Sequence, residues 1–188
     1  MKLGVDVSWW NDDVDFDLLK NNKVEFVIIR AGYGRRVDEN FTRNAAKASA
    51  AGLKIGAYWY SYALDEYDAE EEGYLCKDVI KDSGLLLELP IFFDMEDDDY
   101  KYKHKFIYNT YHITAICRAF LDAIKPLRGG IYSNLNWLSK YIDVNACPNT
   151  AVWCAQYHSS CDMPCNIWQY TDKLLIGEDF FDGNFLFD

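Results

Sequence analysis

Two carboxylates one residue apart, Asp94 and Glu96, are the residues of this chain best spaced to do chemistry. They leave an apolar run, Leu89-Pro90-Ile91-Phe92-Phe93, and are followed by Asp97, Asp98 and Asp99. Side chains alternate across a strand, so Asp94 and Glu96 project from one face, one pleat apart. Carboxyls that close cannot both ionise freely, and one pKa is expected to rise toward neutrality. An acid that keeps its proton beside an ionised partner is what hydrolysis of a glycosidic bond requires. A solvated acidic loop after a buried strand would carry the same residues, so the surrounding elements decide between the two.

Those elements alternate. Lys2–Val7 reads as a first strand, Val14–Asn22 as a short helix, and Phe26–Ala31 as a strand apolar enough to be buried on both faces. Gly32-Tyr33-Gly34 is expected to break it into a loop. A helix over Asn40–Ala51, closed by Gly52, precedes a third strand at Lys54–Ser61. The Asp65–Asp82 segment is a helix with acids in its first turn, closed by Gly84. Leu85–Asp94 reads as the fourth strand, and Lys105–Ile124 as a long amphipathic helix stopped before Pro126. Gly130–Ser133 and a brief helix, Leu135–Tyr141, complete the alternation. Three strands with little helix between them then follow, at Ala151–Gln156, Asn166–Tyr170 and Phe180–Phe187. Strand–helix alternation of this kind predicts an α/β fold with a mostly parallel sheet. The pattern is that of a barrel lacking its last helices, shorter than the roughly 250 residues of a complete (β/α)₈ form.

In parallel barrels, function collects at the C-terminal ends of the strands. Here those ends carry Asp6, then Arg30, then Tyr58 and Tyr60, then Asp94 and Glu96. Tyr132 follows on the fifth strand, Trp153 and Gln156 on the sixth, Gln169 on the seventh, and Asp182 with Asn184 on the last. The strand beginnings are apolar, Lys or Gly. Carboxylates, amides and aromatics gathered at one end describe a carbohydrate-processing cleft. Each residue also has a plainer use. Asp6 could cap a turn, and Asp182-Gly183-Asn184 could be a hairpin turn, since Asp-Gly favours one. The aromatics could be core, and Arg30 could be an ion-pair partner that lowers the pKa of one acid. His104, His112 and His158 have no nucleophile placed against them and take no role.

Bulk composition narrows the classes further. At 188 residues the chain is one domain, residues 1–188, large enough for a proper core. A net charge of −11 argues against nucleic acid, whose phosphates demand a basic surface. An aromatic content of 16% suits stacking against sugar faces. No apolar run approaches the roughly 20 residues of a membrane helix, and a chain without a secretory leader is expected from the N-terminal residues. The six cysteines fall mostly in helix and strand patterns and do not meet zinc-ligand spacing, so reduced thiols and no metal are expected.

Taken in order, Gly4-Val5-Asp6-Val7-Ser8, Phe26-Val27-Ile28-Ile29-Arg30-Ala31, Ala51-Gly52-Leu53-Lys54-Ile55-Gly56-Ala57-Tyr58 and Phe93-Asp94-Met95-Glu96 form a connected set. Gly130-Ile131-Tyr132-Ser133, Trp153-Cys154-Ala155-Gln156-Tyr157, Ile167-Trp168-Gln169-Tyr170-Thr171 and Asp182-Gly183-Asn184 continue it. The set resembles the Chalaropsis-type lysozymes, family 25 of the glycoside hydrolases, over essentially the whole chain. The resemblance implies a flattened, incomplete TIM-like barrel, (β/α)₅(β)₃. It also implies cleavage of the β-1,4 bond between N-acetylmuramic acid and N-acetylglucosamine in bacterial peptidoglycan. Glu96 matches the family's general acid, Asp94 its catalytic partner, Asp6 the aspartate of the first strand and Asp182 that of the closing Asp-x-Asn motif. Tyr58, Tyr60, Tyr132, Trp153, Gln156, Gln169 and Arg30 would bind substrate. The chain has Tyr58-Trp59-Tyr60 where the family often has Tyr-His-Tyr, which bears on subsite preference. A single catalytic domain without wall-binding repeats is expected, and release by lysis, as for a phage endolysin, or a non-classical route is the expected way to the wall. A monomer without cofactors is expected.

The expected chemistry has Glu96 protonating the leaving oxygen, its pKa raised by burial and by ionised Asp94. Asp94, on the same strand, is poorly placed to attack the opposite ring face, whereas a retaining pair sits about 5 Å apart across the bond. The substrate's own 2-acetamido carbonyl is therefore the expected nucleophile, with Asp6 or Asp182 as alternatives. A chitinase-like hydrolase and a non-catalytic sugar-binding domain are the rival readings.

Overall fold

A computed structural model describes residues 1–187. Eight strands close into a barrel: β1 (Lys2–Val7), β2 (Phe26–Tyr33), β4 (Lys54–Tyr60), β5 (Ile91–Asp94), β6 (Gly129–Asn134), β7 (Ala151–Ala155), β8 (Ile167–Ile176) and β9 (Asp179–Leu186). A two-residue β3 (Arg36–Val37) folds back antiparallel on the end of β2. Neighbours from β1 through β8 run parallel, and β9 runs antiparallel between β8 and β1. Helices α1 (Phe16–Asn21), α2 (Phe41–Ala50), α3 (Glu66–Ser83), α4 (Asp99–Lys103) with α5 (Thr110–Ala123), and α6 (Leu135–Lys140) fill the first five crossovers. Between β7, β8 and β9 there is no helix. This is the (β/α)₅(β)₃ barrel expected.

The pleat explains where the site lies. On β2, Val27, Ile29 and Ala31 pack outward under the helices, while Phe26 and Ile28 fill the barrel with Phe92, Tyr132, Trp153 and Ile167. Gly4 and Gly130 make room for that filling. A methyl on Gly4 would lie 2.3 Å from the Phe26 ring, and one on Gly130 would lie 2.4 Å from the Phe92 ring. With the base plugged by aromatics, the next inward positions of each strand can only open at the mouth. Those positions are Asp6, Arg30, Tyr58, Asp94 and Gln169.

Several boundaries differ from expectation, each for a local reason. β2 does not break at Gly32: it continues to Tyr33 through a register shift and carries β3. The expected fourth strand from Leu85 shrinks to Ile91–Asp94, because Pro90 cannot donate to a ladder and Leu86 is exposed. The long helix begins at Thr110, where the Asn109 side chain accepts from the His112 N–H. Before it, Asp98 caps α4, and Lys105 at φ +55° ends that segment. The Asp182-Gly183-Asn184 tripeptide is no turn: it lies mid-strand, with Asp182 opposite Asp6, and the hairpin turns at Gly177 instead. All six cysteines are free, four of them buried. Among the described residues, no helix is long and apolar enough to cross a membrane.

Candidate active site

The inward positions at the barrel mouth line one cavity of about 420 Å³, which contains Asp6, Arg30, Tyr58, Tyr60, Asp94, Glu96, Tyr132, Trp153, Gln169 and Asp182. Ten of the residues singled out in the sequence are thus brought together. Gln156 is not among them. Its amide is tied to Asp162, donating to Oδ2 at 2.6 Å and accepting from the backbone N–H at 2.8 Å, so it shapes the β7–β8 loop instead. The loop's Tyr157, one residue on, does enter the cavity, as do Ser8, Trp10 and Asn11.

Asp6 is the centre of a hydrogen-bond chain with a fixed direction. Tyr132 and Tyr157 donate their hydroxyls to Gln169 Oε1, at 2.9 and 3.2 Å, which turns the Gln169 amide nitrogen toward Asp6 Oδ2 at 2.9 Å. The Trp153 indole N–H donates to Asn184 Oδ1 at 2.8 Å, and Asn184 Nδ2 then reaches the same Asp6 oxygen at 2.7 Å. These two donors favour ionised Asp6, yet burial and the facing Asp182 outweigh them, and the Asp6 carboxyl is pushed well above the usual range. Asp182 is also raised, by burial, but the hydrogen bond from Asp6 pulls it back. Asp6 therefore holds the proton of the pair and Asp182 accepts it.

The second pair sits at the end of β5. Its backbone is clamped: Ser61 N–H donates to Asp94 O, Met95 N–H to Tyr132 O, and Ser133 Oγ to Met95 O. Met95 packs outward, so Asp94 and Glu96 both face the cavity. Burial raises Asp94 well above its ordinary value and the Glu96 charge adds to it, while Lys101 and Arg30 oppose. Glu96 is raised by burial, reinforced by Asp98 and Asp182 and opposed by Lys101. Both acids of the pair are raised, and in the free protein Asp94 lies deep, at 4% exposure, with the Glu96 charge adding to its shift.

Two cations temper this acidity, and one of them escaped the sequence reading. Lys101, on the unforeseen α4, is fully buried, with Nζ donating to Ser61 O at 2.6 Å and pairing with Asp98 at 3.2 Å. Arg30 lies at 8% exposure with its Nε on Asp38 Oδ2 at 2.8 Å. Asp38 also accepts from the Trp9 and Asn40 backbone N–H groups, tying the wall of the cleft to β2. The Arg30 Nη2 and Asp94 Oδ1 atoms are buried without hydrogen-bond partners among the described residues. Such atoms mark where an incoming polar ligand would be bonded. Aromatic walls complete the cavity: Tyr132 packs on Trp153 at 4.4 Å between ring centroids, and Trp9 stacks on Trp10 at 4.0 Å.

The comparisons with known proteins agree with this geometry. The family model for Glycosyl hydrolases family 25 matches residues 5–179. Among solved structures, the chain is similar to the modular autolysin LytC from Streptococcus pneumoniae, at 25% identity and a TM-score of 0.88, covering 97% of this chain and 46% of that one. It is similar also to the catalytic domain of endolysin ply40 from bacteriophage P40 of Listeria monocytogenes, at 26% identity and a TM-score of 0.80, covering 98% and 92%. A muramidase from Trichobolus zukalii superposes at a TM-score of 0.80 with 22% identity, covering 100% and 94%. The chain spans under half the length of the autolysin. No curated protein sequence matches it. With the family model spanning all but the ends, and the barrel and cleft in place, the chain belongs to family 25 of the glycosyl hydrolases.

Proposed function

We propose that residues 1–188 form one catalytic domain, a muramidase that hydrolyses the β-1,4 bond between N-acetylmuramic acid and N-acetylglucosamine in bacterial peptidoglycan. The observation that carries this reading is the convergence of Asp6, Asp94, Glu96 and Asp182 in one aromatic-walled cavity. The similarity to a cell-wall autolysin and a phage endolysin supports the choice of substrate.

In this reading Glu96, nearer the solvent than Asp94, is the proton donor to the leaving oxygen. The substrate acetamido N–H meets the unpartnered Asp94 Oδ1, which favours ionised Asp94 and leaves the shared proton on Glu96. The acetamido carbonyl oxygen attacks the anomeric carbon as the C–O bond to the leaving sugar breaks and Glu96 protonates that oxygen. Ionised Asp94 stabilises the positive charge of the cyclic intermediate. Water then opens the ring, giving its proton to the Glu96 carboxylate, and configuration is retained. Asp6 and Asp182, sharing a proton, present a neutral O–H and a carboxylate to the sugar or to that water.

Mass spectrometry of digested peptidoglycan tests the reading: new reducing ends should be muramic acid. Glucosamine ends, or faster release from chitin oligomers than from peptidoglycan, would sink it in favour of a chitinase-like enzyme. Replacing the acid, Glu96→Gln, is expected to lower turnover by about 10²–10⁴-fold at unchanged stability, the usual worth of a general acid.

A further inference from the structure

A second cavity, of about 610 Å³, opens beside the acidic one and shares Tyr60 with it. Its walls are four tyrosines in mutual contact. Tyr62 stands edge-on to Tyr33 and Tyr60, with centroids 6.4 and 5.4 Å apart, and tilts against Tyr100 at 5.1 Å. Its rim carries Arg35, Arg36 and Lys103. That concentration of positive charge is unusual in a chain of net charge −11 whose neighbouring cavity holds four carboxyls.

The rim's acids leave most of that charge uncommitted. Asp98 is turned inward and held by the buried Lys101, through its N–H at 2.7 Å and its Nζ at 3.2 Å. Asp99 is exposed and makes no ion pair among the described residues. Arg35 reaches Asp68 at 3.2 Å from a side chain that is 65% exposed, a contact of the kind solvent readily competes with. Arg36 and Lys103 are exposed and have no ion-pair partner among the described residues. Arg36 is placed by β3, the two-residue strand that folds back on β2 beside the cleft, and Lys103 by α4 across from it.

Resting on the muramidase reading, we propose that this cavity receives the peptide stem that muramic acid carries, with its carboxylates on Arg36, Lys103 and Arg35. The chemistry of the polymer supplies the complement. The glycan backbone is neutral, and the lactyl ether on muramic acid leads into a short peptide with free carboxylates. An extended stem advances about 3.3–3.6 Å per residue, so three or four residues reach from the sugar across a neighbouring cavity of this size. Elsewhere around the mouth a carboxylate meets Asp6, Asp94, Glu96 and Asp182. This side offers three exposed cations, where the acidic cavity holds only the buried Arg30 among the described residues, and tyrosine faces for the apolar side chains between them.

The double charge reversal Arg36→Glu with Lys103→Glu tests this on two soluble substrates, peptide-bearing glycan chains and the same chains stripped of peptide by an amidase. Both turnover and equilibrium binding are measured. The ratio of kcat/KM for peptide-bearing over peptide-free chains is expected to fall roughly 5- to 30-fold, through KM, as two exposed charge contacts of up to about 1 kcal/mol each are replaced by repulsion. The difference between variant and parent should shrink in 1 M salt, where exposed charges are screened within about 3 Å. An unchanged ratio, or an equal loss on both substrates, overturns the proposal. So does a loss seen only on walls that retain anionic teichoic polymers, which would place phosphate and not peptide on the cations. A parent protein that releases no reducing ends from either substrate refutes the muramidase reading instead. The binding preference still decides the stem site in that case.

Discussion

Glu72 offers the sharpest test of how burial sets charge beneath the cleft. It projects from α3 at 2% exposure, accepts the Tyr62 N–H at 3.0 Å through Oε1, and has no partner on Oε2. Burial lifts its pKa from 4.5 to about 7, against the opposing pull of Ser61, the Tyr62 N–H and Lys101. A carboxyl raised on folding binds its proton more tightly in the native state. Its stabilising contribution is therefore complete below about pH 4.5 and lost as pH rises through about 7. The difference of 2.5 units, 7 less 4.5, corresponds to about 3 kcal/mol at roughly 1.4 kcal/mol per unit. Glu72→Gln keeps the acceptor for Tyr62 and cannot ionise. Unfolding by urea between pH 5 and 8 should show the parent losing most of that amount relative to the variant. In melting temperature this is a gap opening by roughly 6–12 °C for a domain of this size. The raised acids of the active site are present in both proteins and cancel in the comparison. Parallel pH curves would refute the reasoning, and with it the claim that burial dominates the charge state of this carboxyl.

Removing the buried cation should move the catalytic acids in the opposite sense. Lys101 lowers both Asp94 and Glu96, so Lys101→Met is expected to carry the alkaline limb of the kcat/KM profile to higher pH, because activity requires a proton that Glu96 then holds longer; a profile that narrows or moves to lower pH contradicts the assignment. Asn184→Ala strips partners from the Trp153 indole and from Asp6, two buried polar groups. Each orphaned group costs about 1–3 kcal/mol, so scanning calorimetry should record a clear loss of stability, and a variant as stable as the parent would show that water replaces the amide freely.

Much of the barrel was legible because apolar runs of strand length alternate with helical segments, and because polar residues gather at the strand ends. Arg30 closing the apolar run from Phe26 is one such end, and those ends had to lie at the mouth. What escaped was set by contacts between distant segments. Nothing near Gln156 announces that Asp162 captures its amide while Tyr157 takes the place facing Gln169. The Asp182-Gly183-Asn184 tripeptide reads locally as a turn, and its pairing on both sides, with β1 and with Gln169 and Thr171 of β8, holds it straight. Lys101 was hidden by its own neighbourhood. A lysine after three aspartates reads as a solvated charge, until α4 folds it under Ser61 and buries it.

The placement of those two cations also explains how the carboxyls of one cavity remain useful together. A direct pair between Arg30 and Asp94 would lower that acid by roughly 1–3 units, since a cation in contact favours the charged form. Asp94 would then be ionised before substrate arrives, with no proton to pass to Glu96 on binding. Instead each cation is committed to an acid outside the set of four, Arg30 to Asp38 and Lys101 to Asp98. The field of Lys101 reaches Asp94 and Glu96, and that of Arg30 reaches Asp94, enough to oppose burial without cancelling it. Burial alone would leave all four acids protonated and without a carboxylate to stabilise developing positive charge. Contact pairs would leave the paired acids ionised. Committing each cation to a separate acid keeps the site between those limits, where one carboxyl can donate while its neighbour carries charge.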